Sequence, residues 1–216
     1  MRGVIFHLEH LCLTFRDYIN KKVLVFSAIL PRMDNFPYTR IVVVGTTSSG
    51  KSTLAENLAN KLDLGFVELD AIYWRPNWVG TPDDEFAAKV DGATSGDRWA
   101  LAGNYSRTRP ITWPRAEVVI WLDYSLPVIF WQLTKRTLQR TFSREVLWGT
   151  NVERLWSHLK LWSDESLFKW LFKTYWRRKR EYPALFALPE HQHLEMIRFT
   201  SPQETQDWLE GLKIAS

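Results

Sequence analysis

Ile41-Val42-Val43-Val44 follows Arg40 without a polar interruption and runs straight into Gly45. An apolar, β-branched block of this kind predicts a strand covered on both faces. Immediately downstream, Leu54, Ala55, Leu58 and Leu62 recur at the spacing of one helical face. The pattern then repeats. Gly65-Phe66-Val67-Glu68-Leu69 reads as a second strand ending at Asp70, and Pro82-Asp83-Asp84-Glu85 opens a helix whose first-turn acids suit the helix dipole. Trp99-Ala100-Leu101-Ala102 makes a third strand, broken by Gly103-Asn104, and Val118-Val119-Ile120-Trp121-Leu122 a fourth, ending at Asp123. A helix follows from Pro127 to about Thr141, Leu194 to Phe199 supplies a fifth strand, and Thr200-Ser201-Pro202 caps a last helix with Trp208, Leu209 and Leu212 on one side. Strands alternating with helices predict an α/β fold: a parallel sheet flanked by helices on both faces, with ligands outside the carboxyl ends of its strands. Residues 142–182, rich in Trp, Arg and Lys and lacking strand alternation, read as a helical insertion where a lid would sit.

The first residues differ from the rest. The apolar run Val23 to Leu30 is far short of the ~20 residues a membrane span needs, and Glu9 and Asp17 spoil a basic leader. Residues 1–39 are therefore expected to be an N-terminal extension, with Met33 as an alternative start, and residues 40–216 to form one domain. Cys12 is the only cysteine, which excludes an internal disulfide or a cysteine metal cluster and fits a cytoplasmic setting. A net charge of +4 suits a polyanion, yet it does not choose between nucleotide and nucleic acid.

The decisive chemistry lies at the end of the first strand. Gly45-Thr46-Thr47-Ser48-Ser49-Gly50-Lys51-Ser52 is a G-x-x-x-x-G-K-S phosphate loop, flanked by the strand and helix such a loop requires. Its backbone N–H groups, continued through Thr53, point at a polyphosphate; Lys51 reaches the outer phosphates and Ser52 offers a hydroxyl to Mg²⁺. Asp70, at the next strand end, is placed to accept the proton of an acceptor hydroxyl, and the same charge repels an acceptor phosphate. Arg75 and Arg107 have the opposite preference, so the acceptor stays open at this point. Tyr73, Trp74 and Trp78 are candidates to stack on it, beside packing roles. Other chemistry is weakly signalled. His191 and His193 with Glu190 read as a solvated turn rather than metal ligands, and the basic run Arg177-Arg178-Lys179-Arg180 suits a lid better than a duplex-binding surface.

Together these pieces resemble the adenylate-kinase-like branch of P-loop kinases, and within it the group labelled DNA topology modulation proteins, FlaR-like. The resemblance spans about residues 40–212. Besides the loop, it rests on Leu69-Asp70-Ala71-Ile72-Tyr73-Trp74, Gly103-Asn104-Tyr105-Ser106, Trp121-Leu122-Asp123 and Leu147-Trp148-Gly149-Thr150-Asn151-Val152-Glu153. It implies a P-loop NTPase fold of strand order 2-3-1-4-5 and the use of ATP with Mg²⁺ on a small-molecule acceptor. The acceptor would be placed by Asp70, Tyr73, Trp74, Gly103, Asn104, Tyr105 and Arg107. The same resemblance implies an alternative, a nucleotide-dependent, DNA-associated regulatory role. Two positions depart from it. Where relatives carry an acid before Gly-Asn-Tyr, this chain has Ala102, leaving Asp123 or Asp70 as the available metal carboxylates; where they begin a pair of arginines, it has Gln132, with Arg136 and Arg140 keeping the spacing one turn on.

Overall fold

The computed structural model describes residues 36–143, 146–147, 151–152 and 167–212, with side chains described for 36–140 and 169–212. Strand β1 (Arg40–Gly45) is central in a five-stranded parallel sheet with β2 (Gly65–Glu68), β5 (Trp99–Ala102), β6 (Val118–Leu122) and β9 (Glu195–Phe199), in the order β2-β5-β1-β6-β9. Counting these strands alone along the chain gives 2-3-1-4-5, the arrangement of the P-loop NTPase fold. The unbroken apolar run of β1 now has its reason. Ile41 and Val43 face one hydrophobic cluster with Leu54, Leu58, Ile129 and Trp208, while Val42 and Val44 face another with Phe86, Val90, Trp99 and Trp121.

Helix α1 (Lys51–Leu62) covers the first face with Leu54, Ala55 and Leu58 buried. Helix α5 (Leu126–Ser143) and helix α7 (Pro202–Gly211) share that face. Ser201 caps α7 by accepting from the Glu204 N–H, and Trp208 packs at 5.5 Å from the ring of Phe36. Helix α3 (Asp83–Ala93) and the one-turn α4 (Arg109–Thr112) close the second face. No helix among the described residues is long and apolar enough to cross a membrane.

Three stretches differ from the sequence reading. Strand β2 stops at Glu68, and Leu69–Tyr73 turns into a short helix, α2. The reason is Leu69, which is fully buried against Gly103; a Cβ at Gly103 would stand 2.7 Å from the Leu69 side chain. Asp70 therefore lies in the first turn of α2 instead of closing a strand. Next, Trp74–Arg75 (β3) and Val79–Gly80 (β4) form a small antiparallel hairpin around Pro76–Trp78. Finally, the segment expected to be wholly helical contains a second hairpin, β7 (Val146–Leu147) with β8 (Asn151–Val152), which lies against the Pro76–Trp78 turn. Helix α6 (Leu167–Phe186) comes next and runs past residue 182 through Pro183. The rest of the expected lid, and residues 1–35, lie outside the described residues.

Helix α6 ties the strand ends together. Its early residues Leu171 and Tyr175 belong to the first core cluster and its late residues Tyr182 and Phe186 to the second, so it crosses the carboxyl end of the sheet. One turn at a time it addresses successive strands. Tyr175 donates to the Tyr124 carbonyl beyond β6 at 3.3 Å, Arg178 to the Gly45 carbonyl at the end of β1 at 3.3 Å, and Tyr182 to Asn104 beyond β5 at 2.9 Å.

Candidate active site

The phosphate loop is built by glycine where nothing larger fits. A Cβ at Gly45 would sit 2.8 Å from the Leu122 carbonyl and 2.6 Å from Ser49 Oγ, so the loop leaves β1 only because that atom is missing. Gly50, at φ 88° and ψ 19°, turns the chain left-handed into the N-terminus of α1, directing that helix's unpaired N–H groups at the loop. Within it, the Ser48 and Ser49 hydroxyls are buried without a hydrogen-bond partner. Buried orphan donors beside a helix N-terminus are what a polyphosphate would satisfy.

Gly45 is held at both of its backbone groups. Its N–H donates to Asn104 Oδ1 at 3.1 Å, while Asn104 Nδ2 donates back to its carbonyl. Arg178 donates to the same carbonyl, and Tyr182 to Asn104 Oδ1. Asn104, expected at the acceptor, is thus committed to the phosphate loop. Burial lowers the ionisation of Arg178 and pushes the Tyr182 hydroxyl up to about 12.

Lys51 donates to the Thr46 carbonyl at 2.9 Å. Burial, with the positive charges of Arg178 and Arg136 nearby, pushes its ammonium down to about 7, against the opposing pull of Asp70 and Glu68. The sign is clear. Below pH 7 the folded chain carries the full cost of that cation; between about 7 and the ordinary 10.5 it holds fewer protons than the unfolded chain, so this group's contribution to stability rises with pH across the window. A bound polyphosphate reverses the balance by favouring the cation. Calorimetry of ATP binding at pH 8 in buffers of different ionisation heat should therefore report net proton uptake. The uptake should vanish in Lys51→Met; uptake of equal size in that variant would assign it elsewhere.

Within electrostatic reach of Lys51, Asp70 Oδ1 accepts the Tyr105 hydroxyl at 2.7 Å. Burial, reinforced by the Asp70 charge and hydrogen bond, raises the pKa of that phenol well above its ordinary value, so Tyr105 stays a proton donor to the carboxylate. From Tyr105 an aromatic row leads outward. Its ring centroid lies 4.9 Å from that of Tyr73, Tyr73 is 4.8 Å from Trp74, and Trp74 is 5.6 Å from Trp78. Asn77 and Trp78 both adopt left-handed φ at the hairpin tip, and the Trp78 ring is 36% exposed.

Other expected residues have different company. Asp123 is buried, with Oδ2 bound by Arg198 at 2.9 and 2.5 Å and Oδ1 paired with Lys179 at 3.0 Å. Both oxygens are thus committed to cations, and the metal role expected of Asp123 is not what this arrangement favours. Arg136 lies within electrostatic reach of Lys51, and Arg140 is partly buried one turn further along α5. His191 departs from the solvated turn expected: it is buried edge-on against Trp113 at 4.7 Å, with Nδ1 2.8 Å from the Leu185 carbonyl. No group of three or more metal-ligating side chains occurs among the described residues. The basic run divides, Arg178 and Lys179 turning to the site while Arg177 and Arg180 remain exposed.

Tyr182 is a site residue that the sequence reading missed, and Arg178, read there as one of the cations of a lid, reaches the Gly45 carbonyl of the loop. The signal was present, since Leu171, Tyr175, Arg178, Tyr182 and Phe186 recur three or four apart on one helical face.

No protein-family model matches the chain, and no curated protein matches it by sequence. Solved structures do resemble it. A sugar kinase from Janibacter matches at 20% identity over 83% of this chain and 96% of its own, with a TM-score of 0.44. A gluconokinase from Sinorhizobium meliloti matches at 18% identity over 81% and 91%, TM-score 0.46, and a shikimate kinase from Bacteroides thetaiotaomicron at 14% over 80% and 95%, TM-score 0.49. Likeness at this level leaves the chemistry to be judged from the site's own residues.

Proposed function

We propose that the chain transfers the γ-phosphoryl group of ATP to a small-molecule acceptor, a hydroxyl compound or a nucleotide. The observation that supports this most is the company of Lys51: a cation that donates to the Thr46 carbonyl of the phosphate loop, with the carboxylate of Asp70 within its electrostatic reach. A loop meant only to hold nucleotide does not need the second group.

Lys51 and Arg178 donate to carbonyls of the loop, Arg136 lies within electrostatic reach of Lys51, and the three would stabilise negative charge developing on the transferring group. Asp70 would orient the acceptor and take its proton. In the balanced step, the acceptor oxygen bonds to the γ-phosphorus, the bond from that phosphorus to the β–γ bridging oxygen breaks, and ADP departs with its electron pair. Mg²⁺ supplies further neutralisation when it accompanies ATP. Ser52, at the start of α1, is the hydroxyl that fits it, with phosphate oxygens and water completing a shell of the kind Mg²⁺ keeps. The Gly-Asn-Tyr and Leu-Asp-Ala-Ile-Tyr-Trp pieces support placing the chain beside adenylate-kinase-like proteins of the FlaR-like group, and the β7–β8 hairpin with α6 supports a lid over residues 142–182.

The test is ATP consumption across nucleosides, nucleotides, sugars and hydroxy acids beside a control without acceptor. At least one acceptor should raise ADP release well above the control. ATP binding with no stimulation by any class would leave a binding protein, not a kinase.

A further inference from the structure

We infer that the acceptor enters as an uncharged, hydroxyl-bearing ring, a sugar or nucleoside in class, and not as a phosphate or carboxylate. This deepens the phosphotransfer reading and rests on it. Asp70 is hydrogen-bonded to Tyr105, and from Tyr105 the rings of Tyr73, Trp74 and Trp78 follow one another at centroid distances of 4.9, 4.8 and 5.6 Å. Aromatic faces leading away from a hydroxyl-orienting carboxylate suit a flat or ring-shaped molecule with one hydroxyl directed inward.

The cations an anionic acceptor would need are already engaged, and by acids that cannot leave. Arg107 is bound by Asp83, and Arg75 by Glu85; Lys89 pairs with the other Glu85 oxygen at 2.8 Å. The ion pairs of Lys89 and Arg75 hold the Glu85 carboxyl below the usual range. Arg107 also lies 5.2 Å over the Tyr73 ring and 5.9 Å over Phe86, so capturing an anion would pull it off the aromatic surface as well. Exposed pairs of this kind are weak and could be exchanged for a ligand's anion. Their acids would not depart with the exchange. Asp83, Asp84 and Glu85 are fixed in the first turn of α3, so an incoming anion would meet them together with Asp70. A neutral ring avoids that repulsion and leaves every pair intact.

Two measurements on the full chain decide the matter. First, with the phosphate loop saturated by AMP-PNP and Mg²⁺, inorganic phosphate is titrated by calorimetry. Wild type should show no saturable phosphate site, whereas D83N/E85Q, which releases Arg107 and Arg75, should gain one that Arg107→Gln removes. Phosphate binding to wild type that Arg107→Gln abolishes would overturn the inference. Second, ADP release is compared for acceptors that differ only in charge: uridine with uridine monophosphate, glucose with glucose 6-phosphate. The neutral member should win by roughly tenfold or more in kcat/KM, as a like-charge contact at a half-exposed site implies; preference for the charged member would refute it. Failure of the kinase reading itself registers separately, as loss of AMP-PNP binding or absence of turnover with both members, and the phosphate titration still reports on the arginines.

Discussion

Replacing Lys51 by alanine should lower phosphoryl transfer by roughly 10²–10³-fold, the usual cost of deleting one preorganised group that answers developing charge. On the proposed reading the side chain would stand where negative charge moves outward during transfer, and no neighbouring cation shares its position on α1. Arg178 and Arg136 contribute charge from other helices, and they should leave a residual rate above background. The fold should survive, because Lys51 is a burdened cation: its ammonium is pushed down to about 7 by burial and by Arg178. Steady-state ADP release with a stimulating acceptor, beside thermal unfolding at pH 7, checks both halves. A wild-type rate in the variant would sink the phosphotransfer reading, and an unfolded variant is excluded by the melt.

Asp70→Asn should spare ATP binding yet cut transfer to a hydroxyl acceptor by roughly 10²–10⁴-fold, the range for losing a positioned general base. The amide keeps the shape of the carboxylate, and the Tyr105 hydroxyl can still donate to its oxygen, so α2 and the aromatic row should stay in place. What disappears is the charge and the capacity to accept a proton. ATP affinity measured by calorimetry should change little while kcat falls. Equal kcat in the two proteins would make Asp70 a structural residue of the short helix.

The parts of the molecule legible in its sequence were those whose cause is local. The loop was readable because glycine, lysine and serine at fixed offsets describe one backbone path, and the β1 block because a strand buried on both faces has no polar alternation. The two-sided sheet comes from repeating that pattern. The partners that decide a carboxylate's job come from far along the chain, and spacing does not reveal them. Asp123 meets Arg198 from β9 and Lys179 from α6, and Asn104 meets Gly45 across 59 residues. The burial of His191 escaped notice for a similar reason, since Trp113, which covers it, belongs to the end of α4. The helix α2 was not foreseen, and β2 was read one residue too long, because the space that takes Leu69 lies at Gly103, some thirty positions later.

Helix α6 touches three strand ends, and at Gly45, Asn104 and Asp123 the group it holds is also held by something that stays behind. If the helix swings outward, Arg178 leaves the Gly45 carbonyl, which keeps Asn104 as donor; Tyr182 leaves Asn104, which keeps the Gly45 N–H; Lys179 leaves Asp123, which keeps Arg198. No buried acceptor in that set is stranded by the departure. Stripping a buried charge of its last partner typically costs about 3–5 kcal/mol, and the Arg198 contact spares the chain that penalty. What holds α6 in place is therefore its packing, since Leu171, Tyr175, Tyr182 and Phe186 are buried in the two cores, and a ligand beneath the helix would have to outweigh the loss of those apolar contacts to move it.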